Sequence, residues 1–143
     1  MKQESKMRIL VLCTGNSCRS QMAEGFLSQY GGQGIEVFSA GLKPKGVNPL
    51  AITAMDEIGI DISKHTSDHL SKYNGQKFDY LITVCDNAAE NCPVFAGEGT
   101  CMHWPFDDPA NEAGSEAEIM GVFRRVRDEI GERVKKWVVE SSV

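Results

Sequence analysis

The run "RILVLC" (8 to 13) leads through the turn "TGNSCRS" directly into "SQMAEGFLSQYG" (20 to 31), and this unbroken succession constrains the fold more than any other feature. The run is short, continuous, apolar and rich in β-branched residues, as expected of a strand covered on both faces. The segment after it sets Met22, Phe26 and Tyr30 four apart on one helical face and stops at the glycine pair 31 and 32. The same alternation continues along the chain. "IEVFSAG" (35 to 41) alternates like a strand, and "GLKPKGVNP" is a turn-rich connection into a helix, "PLAITAMDEIG" (49 to 59), with Asn48 as N-cap and Pro49 in the first helical position. "FDYLITVC" (78 to 85) and "CMHWPF" (101 to 106) read as the third and fourth strands. From Ser115 onward, Ile119, Val122, Phe123, Val126, Ile130, Val134 and Trp137 form one stripe, so the tail reads as a long amphipathic helix. Its "RR" and "KK" pairs are interleaved with Asp128, Glu129 and Glu132, which is the pattern of a solvated outer face.

Strands alternating with helices predict an α/β fold with a parallel sheet, right-handed crossovers and helices on both faces. The expected architecture is a single-domain, three-layer α/β/α arrangement around a central four-stranded parallel sheet. At 143 residues and 41% hydrophobic content, one core suffices: residues 1 to 6 read as a short tail and 7 to 143 as the domain. The net charge of -5 and a pI near 5.2 argue against a nucleic-acid or anionic-membrane partner, since either would demand a basic surface. No stretch approaches the roughly 20 apolar residues of a membrane span, and "MKQESKMRIL" lacks the apolar region of a signal peptide, so a cytoplasmic location is expected. In that compartment five cysteines point to catalytic, metal-binding or redox chemistry rather than a disulfide framework.

Ligands of such folds bind beyond the carboxyl ends of the strands, where "CTGNSCRS" would sit. A tight loop with Gly15 and Asn16 before a helix starting near Ser20 would present several backbone N–H groups to a tetrahedral oxyanion. Arg19 adds a guanidinium whose fork can grip two oxygens of the same anion. Cys13 would lie beneath, and these positive ends should lower its pKa below the roughly 8.5 of an ordinary thiol. The Walker spacing and its lysine are absent, which excludes a nucleotide triphosphate as the expected ligand. An isolated cysteine here would be a small buried hydrophobe ending a strand. The company of Gly15, Arg19 and Ser20 reverses that reading for Cys13, whereas Cys18 stays structural.

"VLCTGNSCRSQMAEG" resembles the phosphate loop of the low-molecular-weight protein tyrosine phosphatases and of the arsenate reductases that share their fold. The resemblance implies Cys13 as nucleophile, Arg19 as oxyanion clamp, Ser20 as a hydroxyl donor to the thiolate, and Thr14, Gly15, Asn16, Ser17 and Cys18 as loop residues around the substrate. "FDDPA" matches the family's Asp-Pro pair and implies Asp108 as general acid. "VCDNAAENCP" carries two cysteines, Cys85 and Cys92, spaced as in the thioredoxin-coupled arsenate reductases, and "FSAG", "GVNPLAITAM", "DISKHTSD" and "HWPFDDPA" are similar to that branch. The likeness runs from Met7 to the final helix.

It implies attack of Cys13 on arsenate, then of Cys85 on Cys13 with release of arsenite, then of Cys92 on Cys85, leaving a disulfide for thioredoxin. Phosphate or sulfate would compete as oxyanions, and a monomer is the default. Seven residues of helix at 86 to 92 would separate the two Cα atoms by roughly 10 Å. A disulfide tolerates only about 4.4 to 6.8 Å, so any helix there must unwind on oxidation. Some members of the branch bind potassium through an Asn, Glu, Ser and Asp set that matches Asn16, Glu24, Ser39 and Asp68. The ion would be a stabiliser and no cofactor is required; alternatively these groups only hydrogen-bond the loop. Cys101 has no counterpart in the family pattern and is expected in the core, and His65, His69 and His103 are expected to be hydrogen-bonding residues. A phosphatase would leave Cys85 and Cys92 without a task. A thiol sensor for arsenite or zinc, using Cys85, Cys92 and Cys101, is the non-enzymatic alternative.

Overall fold

A computed structural model describes residues 7–13, 18–43, 45–73, 75–84, 100–107, 109 and 114–140. Four strands, β1 (Met7–Cys13), β2 (Ile35–Gly41), β3 (Tyr80–Thr83) and β4 (Thr100–His103), form one sheet in the order β2-β1-β3-β4. All neighbours are parallel, with Cys13 opposite Gly41, Leu12 opposite Thr83, and Thr83 opposite His103. The carboxyl ends of all four strands therefore share one rim. Side chains alternate across a pleated strand, so Arg8, Leu10, Phe38, Leu81 and Cys101 share one face, and Ile9, Val11, Val37, Tyr80 and Ile82 the other.

Helices α1 (Arg19–Gly31), α2 (Pro49–Asp56) and α3 (Glu116–Glu140) pack against one another. At Gly131 a Cβ would stand 2.8 Å from the Phe26 ring, and at Gly25 it would stand 2.9 Å from Ile62, so both glycines permit close approach. Trp137 of α3 meets Tyr80 and Trp104 edge-on, at 5.2 and 6.0 Å between ring centres, and so anchors α3 to the second of those faces. The first face carries the aromatic cluster of Phe38, Tyr73 and Phe78, with the Arg8 guanidinium 5.1 Å from the Phe38 ring centre and 4.8 Å from that of Phe78.

Several boundaries depart from the sequence expectation. α2 stops at Asp56, because Ile58, Gly59 and Ile60 donate backward into a tight turn and Gly59 takes a positive φ of 82°. Its start is as expected, with the Asn48 side chain accepting from Leu50 N at 2.8 Å. β3 is shorter than 78 to 85, although Val84 N still donates to Leu12 O at 3.0 Å. β4 begins at Thr100 and its regular ladder ends at His103, although Trp104 N still donates to Thr83 O at 2.7 Å and Phe106 N to Val84 O at 3.4 Å. Tyr30 is exposed and stacks on Phe26 from outside. Cys101 is not in the core: β4 is an edge strand, where the Cys101 side chain is exposed, and the residue is disulfide-bonded. Among the described residues, no helix is long and apolar enough to cross a membrane. The 1 to 6 tail and any helix at 86 to 92 lie outside the described residues.

Candidate active site

Cys13 ends β1 at the shared rim, 3% exposed and outside any disulfide. Cys18, also buried, is the N-cap residue of α1, and its carbonyl accepts from Met22 N at 2.9 Å. Between them run Thr14, Gly15, Asn16 and Ser17, which lie outside the described residues. Ser20 is fully buried in the first turn of α1. Arg19, one residue earlier, donates from Nη1 to Phe106 O at 3.1 Å. This bond ties the start of α1 to the segment that leads to Asp108, itself outside the described residues, as are Cys85 and Cys92. The structure thus brings Cys13, Arg19 and Ser20 to one end of the sheet, with the β4 to α3 connection beside them.

A second polar centre lies at the β2 edge. Glu24, Ser39 and Asp68 line a cavity of about 180 Å³ together with Thr66, Lys72 and Tyr73. Ser39 Oγ donates to Glu24 Oε1 at 2.6 Å, Thr66 Oγ1 donates to Asp68 Oδ2 at 2.7 Å, and Lys72 Nζ lies 3.2 Å from Asp68. Burial pushes the Glu24 carboxyl above its ordinary value, against the pull of His65, whose Nε2 is 3.8 Å away. Burial, then Asp68 and Glu24, push the Tyr73 hydroxyl up to about 12. Two carboxylates and a hydroxyl are hard oxygen donors, the chemistry of an alkali or alkaline-earth cation. Among the described residues, no three His, Cys, Asp or Glu side chains gather as a metal centre.

Three hydrogen bonds to histidine accord with the expectation: His65 Nδ1 with Gln21 at 3.0 Å, His69 Nδ1 with Ser71 at 2.9 Å, and His103 Nδ1 with Thr83 at 2.7 Å. Sequence reasoning missed Gln21. Fully buried on α1, it accepts at His65 and donates from Nε2 to Thr66 O at 3.0 Å, fastening the 65–68 segment beside the cavity. A glutamine at a helix position flanked by buried residues was the only available signal.

Residues 8–142 match the family described as Low molecular weight phosphotyrosine protein phosphatase. The chain belongs to this family. Within it, the protein is 53% identical over 131 residues to an arsenate reductase of Halalkalibacterium halodurans, spanning 92% of this chain and 94% of that one. It is 50% identical over 129 residues to an arsenate reductase of Bacillus subtilis, covering 90% and 93%. A solved structure of an arsenate reductase in the phosphate-binding state superposes with a TM-score of 0.81 at 36% identity, over 94% of this chain and 98% of that chain. A low molecular weight protein tyrosine phosphatase from T. tengcongensis, at 24% identity and a TM-score of 0.76, shares the fold of this phosphatase-family chain.

Proposed function

We propose that the chain is an arsenate reductase of the phosphatase-fold family, working in the cytoplasm as a monomer. The observation that carries this reading is the 53% identity to an arsenate reductase over nearly the whole of both chains, together with Cys13 at the rim and Arg19 on the adjoining turn. Arsenate binds to the loop from Thr14 to Cys18 with two oxygens on the Arg19 guanidinium, and phosphate or sulfate competes for the same place.

The Cys13 thiolate, to which Ser20 donates a hydrogen bond, attacks arsenic. An oxygen leaves as water with a proton from Asp108. The Cys85 thiolate then attacks Cys13 Sγ, the sulfur–arsenic bond breaks with its electron pair left on arsenic, and arsenite departs. Cys92 attacks Cys85 Sγ and releases Cys13 as thiolate, and the Cys85 to Cys92 disulfide takes two electrons from the thioredoxin dithiol. Glu24, Ser39 and Asp68, with Asn16, would hold a potassium ion that neutralises buried charge and steadies the loop. It takes no part in the chemistry.

The test is arsenite formation from arsenate with thioredoxin, thioredoxin reductase and NADPH. Steady turnover by the unaltered chain, falling to about one equivalent per chain in Cys92→Ser, is the expected result. No arsenite, with hydrolysis of an aryl phosphate instead, would assign the site to a phosphatase.

A further inference from the structure

The segment that follows β4 passes beside Arg19, and the sheet's hold on it fades residue by residue. Trp104 N donates to Thr83 O at 2.7 Å, Pro105 has no N–H to donate, and Phe106 N reaches Val84 O only at 3.4 Å. The Phe106 ring is only partly buried against the core. Side chains take over at that point. Arg19 Nη1 donates to Phe106 O at 3.1 Å, and Asp107 Oδ2 accepts from Arg125 Nη2, also at 3.1 Å.

These two contacts meet on one rigid body. The carbonyl that receives Arg19 belongs to the planar peptide unit joining Phe106 to Asp107, so a side-chain tether on Asp107 bears directly on the tilt of that carbonyl. Arg125 is itself held from α3, where its Nη1 donates to Glu129 Oε2 at 2.9 Å, four residues along the helix. A guanidinium is planar, so fixing one nitrogen on Glu129 aims the other at Asp107. Contacts therefore run from Glu129 through Arg125, Asp107 and the Phe106 carbonyl to Arg19, and join α3 to α1 across the backbone between them.

We infer that Arg125 is a positioning residue for the oxyanion site. By holding Asp107 it sets the peptide plane whose carbonyl orients the Arg19 guanidinium, and so raises the affinity for a tetrahedral oxyanion that Arg125 itself does not touch. This rests on the reading of Arg19 as oxyanion clamp given above. Arg125 and Asp107 are both exposed, so the gain is modest.

Inorganic phosphate is the probe, and the readout is protection of Cys13 from iodoacetamide, followed by peptide mass at constant ionic strength. The phosphate concentration that halves the alkylation rate, relative to the phosphate-free rate of the same protein, reports affinity. Arg125→Ala is expected to raise that concentration about two- to five-fold, with Arg125→Lys in between. Arg124→Ala removes the same charge from the same helix, but from a residue that binds Glu57, and should match the unaltered chain. Adding Arg125→Ala to Arg19→Lys should cause no further loss, because the contact with Phe106 is already gone. No shift in Arg125→Ala, an equal shift in Arg124→Ala, or full additivity with Arg19→Lys overturns the inference. Absence of phosphate protection in the unaltered chain takes Arg19 out of anion binding and overturns it as well. Arsenite formation is a separate measurement: its absence, with the expected shifts present, removes the reductase reading and leaves the positioning role of Arg125 in place.

Discussion

Arg19 shows how much one side chain contributes to the rim. Its Nη1 already donates to Phe106 O, so part of the guanidinium is oriented before any anion arrives, and the planar fork can donate to two oxygens at once. Lysine keeps the charge but has neither the fork nor a fixed reach. Arg19→Lys is therefore expected to lower kcat/KM for arsenate by about 10- to 100-fold, the worth of one or two charged hydrogen bonds, measured by initial rates with saturating thioredoxin. Glu57 contributes elsewhere. Hydrogen bonds from Arg124, and then from Arg127, bring its carboxyl from an ordinary 4.5 to about 2. The stability contributed by this group is present above pH 4.5 and is lost as the pH falls toward 2. The stability gap between the unaltered chain and Glu57→Gln should narrow over that window, as read from urea midpoints. If it stays constant, the clamp between α2 and α3 is not carried by charge.

Elements were more legible than their ends. Continuous apolar runs and a long stripe made the strands and α3 plain, since burial on the two faces of a sheet or along one face of a helix writes itself into spacing. Ser115 and Glu118 even cap α3 reciprocally, with Glu118 N donating to Ser115 Oγ at 3.1 Å and Ser115 N to Glu118 Oε1 at 3.3 Å. Strand ends were less legible, because Val84 pairs with β1, and Trp104 and Phe106 pair with β3 and Val84, outside the regular ladders, and these bonds depend on the neighbouring strand. Cys101 misled for a similar reason. Its place on an outer strand follows from sheet order, and spacing does not encode sheet order. At the site, Cys13 and Arg19 could be read from one short segment, whereas the bond from Arg19 to Phe106 joins parts of the chain that only the fold brings together. The α1 to α3 contact gives a direct test of packing. Gly131→Ala would place a methyl 2.8 Å from Phe26, whose ring is nearly buried, and should cost about 1 to 3 kcal/mol by chemical denaturation.

The whole molecule links proton binding to stability through the cavity shared by α1, β2 and the 66–73 segment. Burial raises Glu24, so the folded chain holds that proton more tightly than the unfolded chain. From this group alone, stability falls as the pH rises from the ordinary carboxylate range through the raised value. The potassium ion proposed above would offset the charge that appears, so the rise in Tm on replacing tetramethylammonium with potassium should be larger at about pH 8 than at about pH 5. An equal rise at both would remove Glu24 from the ion site. At the opposite end of the sheet, Arg8 lies by the rings of Phe38 and Phe78 and bonds Glu36, Gln76 and Lys77, while its own N–H donates to Asp79. Slipping β1 by one residue would move Cys13 by about 3.3 Å and turn its sulfur to the wrong side of the sheet. The depth of the nucleophile beneath its loop is thus gauged from the far end of its own strand, like a plumb line hung from a fixed nail.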